Sequence, residues 1–296
     1  MNRADPIVAG CVVLYECDID LAANIASYVH DLDMLVVIDN SAVPDPRIAA
    51  VVAPYKNAEY VFNGANIGIA AALNLATNWA RSRGADYLLT MDQDSSFDNS
   101  AFSHFLDRVL SLPFLEKLAV AAPGFLDKAS PSPPIIDSTT VITSGSIVSL
   151  ANQDRIGPFD EALFIDDVDH DYCLRAIDLE LRIVTLPDFH LQHRLGSTIS
   201  VRLFGKNIQW SIHSPIRHYY IARNTLYMTS KHFKRHPIYS LRRLASVIRT
   251  ISVAMILAPD RHQRFGMVVQ GISDYLSSRM GARNSNQNVE RASNSS

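Results

Sequence analysis

An α/β fold, with a mostly parallel central sheet flanked by helices and a helical extension behind it, is the architecture this 296-residue sequence predicts. Three observations predict it. Short, continuously apolar runs alternate with helix-spaced segments through the first hundred residues, the pattern of parallel strands joined by crossover helices. Polar residues stand directly after those runs, at Asp39-Asn40 and at Asp92-Gln93-Asp94. Beyond residue 208 the pattern turns mainly helical, and the charge changes sign.

The elements follow in order. "IVAGCVVLY" (7–15) reads as a first buried strand, "DLAANIASYVHDL" (20–32) as a helix with Asp20 placed to cap it, and "MLVVID" (34–39) as a second strand. "YVFNGANIG" (60–68) is a strand and a glycine-containing turn. "IAAALNLATNWARSRG" (69–84) is an alanine-rich helix stopped by Gly84, and "DYLLTM" (86–91) is a third buried strand. A helix is expected at 99–110. Residues 126–139, rich in Pro and Ser, read as a surface loop, either a connector or a flap over substrate. "TVITSGSIVSL" (140–150) is a strand with a small-residue kink. Residues 157–183 read as a turn, a helix from about Asp169, and a strand through Val184. The final "NSNQNVERASNSS" reads as a disordered tail, counted from residue 281.

Composition narrows the class. With 48% apolar and 19% charged residues the chain is an ordinary folded protein. Cys11, Cys17 and Cys173 have no metal-type spacing, and the stretch from Ile7 to Tyr15 lacks the flanks of a secretory signal, so a reduced, cytoplasmic setting is expected. The net charge of −3 conceals an asymmetry. Residues 202–283 hold 14 Lys and Arg against two Asp, whereas residues 1–201 hold 12 basic and 27 acidic residues. An acidic front half binds anions poorly unless a cation is supplied. Within the basic part, residues 239–258 have helical apolar spacing with internal arginines, too charged for a membrane span; the segment is open between an anionic membrane surface and packing against another part of the protein. No motif for nucleic acid accompanies the charge.

In a parallel sheet, ligands bind at the carboxyl ends of the strands. Asp92 and Asp94 stand at such an end, where like charges repel. A capping turn is one reading; the other is that both carboxylates hold one hard divalent cation, which cancels the repulsion.

Taken together, "VVLYE", "VIDNS", "NGANIGIAAALN", "LLTMDQDSS", "ITSGSIVSL", "FDEALFIDDVDHDYCLR" and "HRLG" resemble, in content and order, the inverting glycosyltransferases of family 2, and within them the rhamnosyltransferase subgroup. The resemblance covers about residues 7–230. It implies a GT-A fold, with a Rossmann-like nucleotide-sugar half at about 1–98 and an acceptor half at about 99–205, followed by a basic helical region at 206–280.

It also implies roles. Tyr15, Asp39, Asn66, Gly68, Asp92 and Arg223 would bind the donor, Asp39 by accepting the N3–H of a pyrimidine base. Asp92, Asp94 and His193 would hold Mg²⁺ or Mn²⁺ against the diphosphate. Asp169 would be the base that deprotonates the acceptor hydroxyl, with Asp171 in reserve and Asp166 and Asp167 structural. Arg217 and His218 are open between a binding role and solvated helix charges. The implied reaction transfers a sugar, L-rhamnose from dTDP-L-rhamnose by subgroup, to a lipid-linked cell-surface glycan, with the inner face of the cell membrane as a second location. The alternatives are a UDP-sugar donor and a non-catalytic nucleotide-sugar scaffold. A phosphatase is disfavoured, because Tyr15-Glu16 follow the first strand where that chemistry places its nucleophilic Asp.

Overall fold

The computed structural model describes residues 5–17, 20–98, 101–125, 134–193, 198–203, 206–211, 213–258 and 260–283. Its first half runs β1 (Val8–Leu14), α1 (Leu21–Ala26), β2 (Met34–Asp39), α2 (Pro46–Val52), β3 (Ala58–Phe62), α3 (Ile69–Ser82) and β4 (Tyr87–Asp92). These strands pair in parallel in the order β3-β2-β1-β4.

Their apolar runs are continuous because both sheet faces are covered. Along β1, Val8, Val12 and Leu14 enter one core with Leu21 and Ile25 of α1 and Ile48 of α2. The alternate residues Ala9 and Cys11 enter a second core with Ala70, Leu73 and Ala76 of α3. Asp20 caps α1 through Ala23 N–H, as expected, but the helix stops at Ala26 rather than 32, and a short 3-10 turn follows.

The chain continues through β5 (Ser95–Phe97), α4 (Ala101–Leu110), β6 (Leu118–Phe125), β7 (Ile136–Asp137), β8 (Ser146–Ser149), α5 (Leu150–Ile156), α6 (Val168–Asp178) and β9 (Arg182–His193). Here the sheet becomes mixed, since β8 joins β4 and β6 antiparallel while β6 and β9 are parallel. The strand expected at 140–150 is therefore shorter, with residues 140–145 irregular and a turn at Ser144-Gly145, and Ile136-Asp137 of the expected loop pair with β9. Residues 126–133 of that loop lie outside the described residues.

Next come β10 (Thr198–Leu203) and β11 (Lys206–Ser211), an antiparallel hairpin. Residues 208–211 are strand rather than helix. Three helices follow: α7 (Pro215–His232), α8 (Pro237–Leu257) and α9 (Arg261–Leu276). Gly271 lets α9 lie directly on α7, because a Cβ there would meet the Tyr219 carbonyl oxygen at 2.4 Å. The expected tail starts too early: Gly281 N–H donates to Ala162 O and Arg283 N–H to the Tyr220 hydroxyl, while residues 284–296 lie outside the described residues. No helix among the described residues is long and apolar enough to cross a membrane.

Candidate active site

The site forms where β1, β2 and β4 end. Leu14 of β1 pairs with Asp39 and Val13 with Asp92, so the two carboxylates flank β1 on neighbouring strands, about 10 Å apart across two strand spacings.

Asp39 is fully buried. One of its oxygens accepts Ser41 N–H at 2.9 Å and the other accepts the Tyr60 hydroxyl at 2.8 Å. An ionised carboxylate accepts about four hydrogen bonds, so capacity remains for one more donor. Asn40 ties the same corner to the next loop, through its side-chain amide to Gly68 O at 3.3 Å and its carbonyl to Asn63 at 2.7 Å. Tyr15 lies at the rim, 47% exposed.

The turn between the two aspartates is fixed by the residue that separates them. Gln93 accepts Tyr15 N–H on its side chain and the Asn24 amide on its backbone carbonyl, both at 2.8 Å. From the other side Ser144 Oγ accepts Asp92 N–H at 3.2 Å and donates to Ser95 Oγ at 2.8 Å. This is what the small-residue kink does: "TSGS" braces the turn. Asp92 and Asp94 are both half-buried, and two hard carboxylate donors on a rigid turn suit Mg²⁺ or Mn²⁺. The backbone of His193 pairs with Ser95 beside them; its side chain lies outside those described. Among the described residues no three potential metal ligands cluster.

Asn66 and Gly68 serve the start of α3. Gly68 N–H donates to Asn66 Oδ1 at 2.9 Å, and Ile69 N–H donates to Phe164 O at 2.8 Å. These two helix-start donors are thus occupied by the protein itself, not held open for an anion. Gly68 has φ +85°, and a Cβ would sit 2.5 Å from the Phe164 ring. The glycine is needed for close approach between α3 and the acidic loop.

That loop and the first turn of α6 after it carry the four aspartates, and their partners sort them. Asp171 is fully enclosed, with Arg175 at 2.8 Å, Lys231 at 2.7 Å and His232 at 2.8 Å. Burial works against its charge, but His232, Arg175 and Lys231 overcome it and hold its pKa at about 2, where it is a poor base. Asp166 is gripped by Arg217 at 2.8 Å. Asp167 is gripped by Arg243 at 2.7 Å and faces His170 at 3.4 Å. Burial opposes the Asp167 charge too, yet His170 and Arg243 keep its pKa below the usual range.

Asp169 differs. It is half-buried and near the start of α6, and it accepts His170 N–H at 2.8 Å. Burial pushes its pKa up, and Asp167 and Asp166 add to the rise against the pull of His170. A carboxylate with raised proton affinity that still meets solvent is the best general base of the four. Arg217, the partner of Asp166, lies in the same field. Burial disfavours the arginine's charge, but Asp166, and beyond it Asp92 and Asp169, more than restore it.

Arg223 is placed elsewhere. It is fully buried, and its guanidinium donates to Asn224 Oδ1, the Tyr219 hydroxyl and the carbonyls of Ala162, Leu163 and Gly281. All five of its N–H groups are directed at protein acceptors, so the donor contact expected of it gives way to a brace on the acidic loop. His218 is likewise enclosed, against Ser214 O and Arg264. Sequence reasoning missed Gln93, Tyr60, His170, Tyr239 and Arg243. Only Gln93 carried a signal, its place between the aspartates.

A family model described as "Glycosyl transferase family 2" matches residues 12–114, which contain the Asp39 corner and the Asp92 turn. Over 243 residues the chain is 29% identical to "dTDP-rhamnosyl transferase RfbF" of Shigella flexneri, covering 73% of this chain and 79% of that protein. The chain thus resembles family 2 glycosyltransferases in sequence. Two solved structures of TarS from S. aureus share its fold. One has TM-score 0.54 and 12% identity over 93% of this chain and 50% of its own. The other, TarS 1–349, has TM-score 0.52 and 15% identity, over 93% and 83%. GalNAc-T7, solved with UDP, GalNAc and Mn²⁺, gives TM-score 0.54 and 11% identity, over 73% and 47%. The chain thus spans about half the length of the first TarS structure and of GalNAc-T7. The fold is GT-A, with the helices α7–α9 behind it.

Proposed function

We propose that this chain is a family 2 glycosyltransferase that moves L-rhamnose from dTDP-L-rhamnose to a hydroxyl of a glycan acceptor, lipid-linked and destined for a bacterial surface, with inversion at the anomeric carbon. The observation that carries the transfer chemistry is the turn after β4, which sets Asp92 and Asp94, both half-buried, at the carboxyl ends of the strands beside the Asp39 corner. The identity to RfbF supports rhamnose in particular.

In this reading the acceptor oxygen attacks the anomeric carbon as Asp169 takes its proton. The new oxygen–carbon bond forms while the bond from carbon to the phosphate oxygen breaks, and the electron pair leaves with dTDP. One displacement inverts the centre. Asp39, with Tyr15 at the rim, receives the base. A divalent ion held by Asp92 and Asp94, with His193 beside them, would supply charge neutralisation at the leaving diphosphate. Asn66 and Gly68 shape the loop under the donor, and Arg223 acts behind them.

The outward face of α8 supports contact with an anionic bilayer. Ile238, Leu241, Ile248 and Ile256 are exposed on it, Arg242 and Arg249 flank them, and residues 237–257 contain no Asp or Glu. A second copy of this face would set arginine against arginine.

Calorimetric titration with dTDP-L-rhamnose, UDP-glucose and UDP-galactose, each with and without Mn²⁺, tests the donor. Selective, metal-dependent binding of dTDP-L-rhamnose is expected, and loss of the metal effect in Asp92→Asn. Binding of a UDP-sugar instead would retain the transferase and discard rhamnose. Asp169→Asn should bind donor normally and lose turnover by at least about 100-fold; a normal rate would reassign the base.

A further inference from the structure

The loop that leads into α6, and so to Asp169, is held by the C-terminal helices. Phe164, Asp166 and Asp167 have φ of 65°, 64° and 63°. Three non-glycine residues in the left-handed region within four positions persist only where the surroundings over-determine them. Those surroundings come from far along the chain. Arg223 and Asn224 of α7 take the carbonyls of Ala162, Leu163, Ile165 and Asp166, and Arg217 takes the Asp166 carboxylate. The last clamp comes from α8. Arg243 donates through Nε at 2.9 Å and pairs through its second nitrogen at 2.7 Å with Asp167, the residue preceding α6. One turn earlier on the same face, the Tyr239 hydroxyl meets His170 Nδ1 at 2.6 Å.

Asp169 therefore lies between two residues, Asp167 and His170, that α8 holds from Arg243 and Tyr239. We propose that Arg243 is a positioning residue for the transfer reaction, aiming the Asp169 carboxylate at the acceptor hydroxyl through its grip on Asp167, with Tyr239 acting in parallel through His170. The inference rests on Asp169 being the base. It gives α8 a second role, opposite to its exposed apolar face.

The physical reason for an effect on rate rather than on donor binding is location. The donor elements lie on β1, β2, β4 and the start of α3, whereas Arg243 bonds to Asp167 at the entry to α6. Without the guanidinium, Asp167 keeps its buried negative charge with His170 as the remaining partner on that side, and Asp166 stays with Arg217. The left-handed turn then loses one of its clamps, and the base beside it loses its fixed direction. A displacement of about 1 Å at a reacting group can cost about 100-fold.

The experiment compares Arg243→Gln, Arg243→Lys, Asp167→Asn with Arg243→Gln, Tyr239→Phe and Asp169→Asn, measuring kcat, donor KM, donor affinity by calorimetry, and melting temperature. Arg243→Gln is expected to lower kcat by about 10- to 100-fold with donor affinity within about twofold. Arg243→Lys should recover part of the loss. The double variant should be no slower than Arg243→Gln alone, because the arginine acts through the aspartate. Tyr239→Phe, which removes one oxygen, should stay folded and lose a few-fold in kcat, and it keeps the test open should Arg243→Gln fail to fold. A folded Arg243→Gln with normal kcat, or one whose donor affinity falls in step with kcat, overturns the positioning role. An inactive Asp169→Asn beside an active Arg243→Gln overturns that role alone. A normally active Asp169→Asn overturns both assignments.

Discussion

Asp171→Asn separates a structural aspartate from a catalytic one. The carboxylate is enclosed by Arg175, Lys231 and His232, and its pKa falls from 3.8 to about 2. At about 1.4 kcal/mol for each tenfold change in proton affinity, the folded state gains about 2.5 kcal/mol from this group at neutral pH. The cations have other partners to fall back on: Lys231 keeps Asp160 at 2.6 Å, and Arg175 keeps the Ile156 and Pro158 carbonyls. The variant should therefore fold, with a deficit close to that figure. Because the folded pKa lies below the unfolded one, the contribution is complete above about pH 5 and declines as pH falls, to about half at pH 3. Urea unfolding of both proteins from pH 3 to pH 7 reads this as a gap that is widest at neutral pH and narrows with acid. Transfer activity measured where both are folded should stay within a few-fold. A gap that ignores pH would refute the charge reasoning. A stable but inactive variant would make Asp171 the base.

Two further outcomes are expected. Gly68→Ala must adopt φ +85° and place a methyl 2.5 Å from the Phe164 ring and 2.7 Å from its carbonyl oxygen. Conformational strain and overpacking together cost about 4 kcal/mol, so a thermal melt should fall by roughly 10 °C; a fall under about 3 °C would mean the loop yields freely. Paired Leu241→Gln and Ile248→Gln should weaken cosedimentation with anionic vesicles without slowing transfer to a short soluble acceptor, and added salt should weaken the parent protein's binding as well. Unchanged cosedimentation would remove the bilayer from the list of partners.

The strands that build the site were legible because they are buried on both faces, which leaves β1, β2 and β4 as unbroken apolar runs. Their ends were legible for the same reason, since a carboxylate after such a run has nowhere to be but the sheet edge. Short elements escaped. α2 is announced only by Asp45 capping Arg47 N–H and Pro46 in its first turn, and the β10–β11 hairpin lies against a region whose neighbours read as helix. Among the aspartates, spacing alone could not rank Asp169 and Asp171. The distinction lies in Arg175, Lys231 and His232, two of which arrive from a helix some sixty residues on. Arg223 and Arg243 were opaque in the same way. An arginine on a helix reads alike whether it faces water or closes on carbonyls, and only the packing of α7 and α8 decides which.

The contact between Gly68 and Phe164 bears on how such an enzyme can be re-engineered. It joins the half proposed to hold the nucleotide to the half proposed to hold the base, through a hydrogen bond from Ile69 N–H to Phe164 O and a surface too tight for one methyl group. Phe164 in turn stacks on Tyr220 of α7, with ring centroids 5.1 Å apart. A chimera cut near residue 98, meant to graft a new acceptor specificity onto this donor half, would mate surfaces that had never been fitted to each other. Transplanting specificity here means carrying the glycine turn, the aromatic loop and the helix behind it as a single cassette.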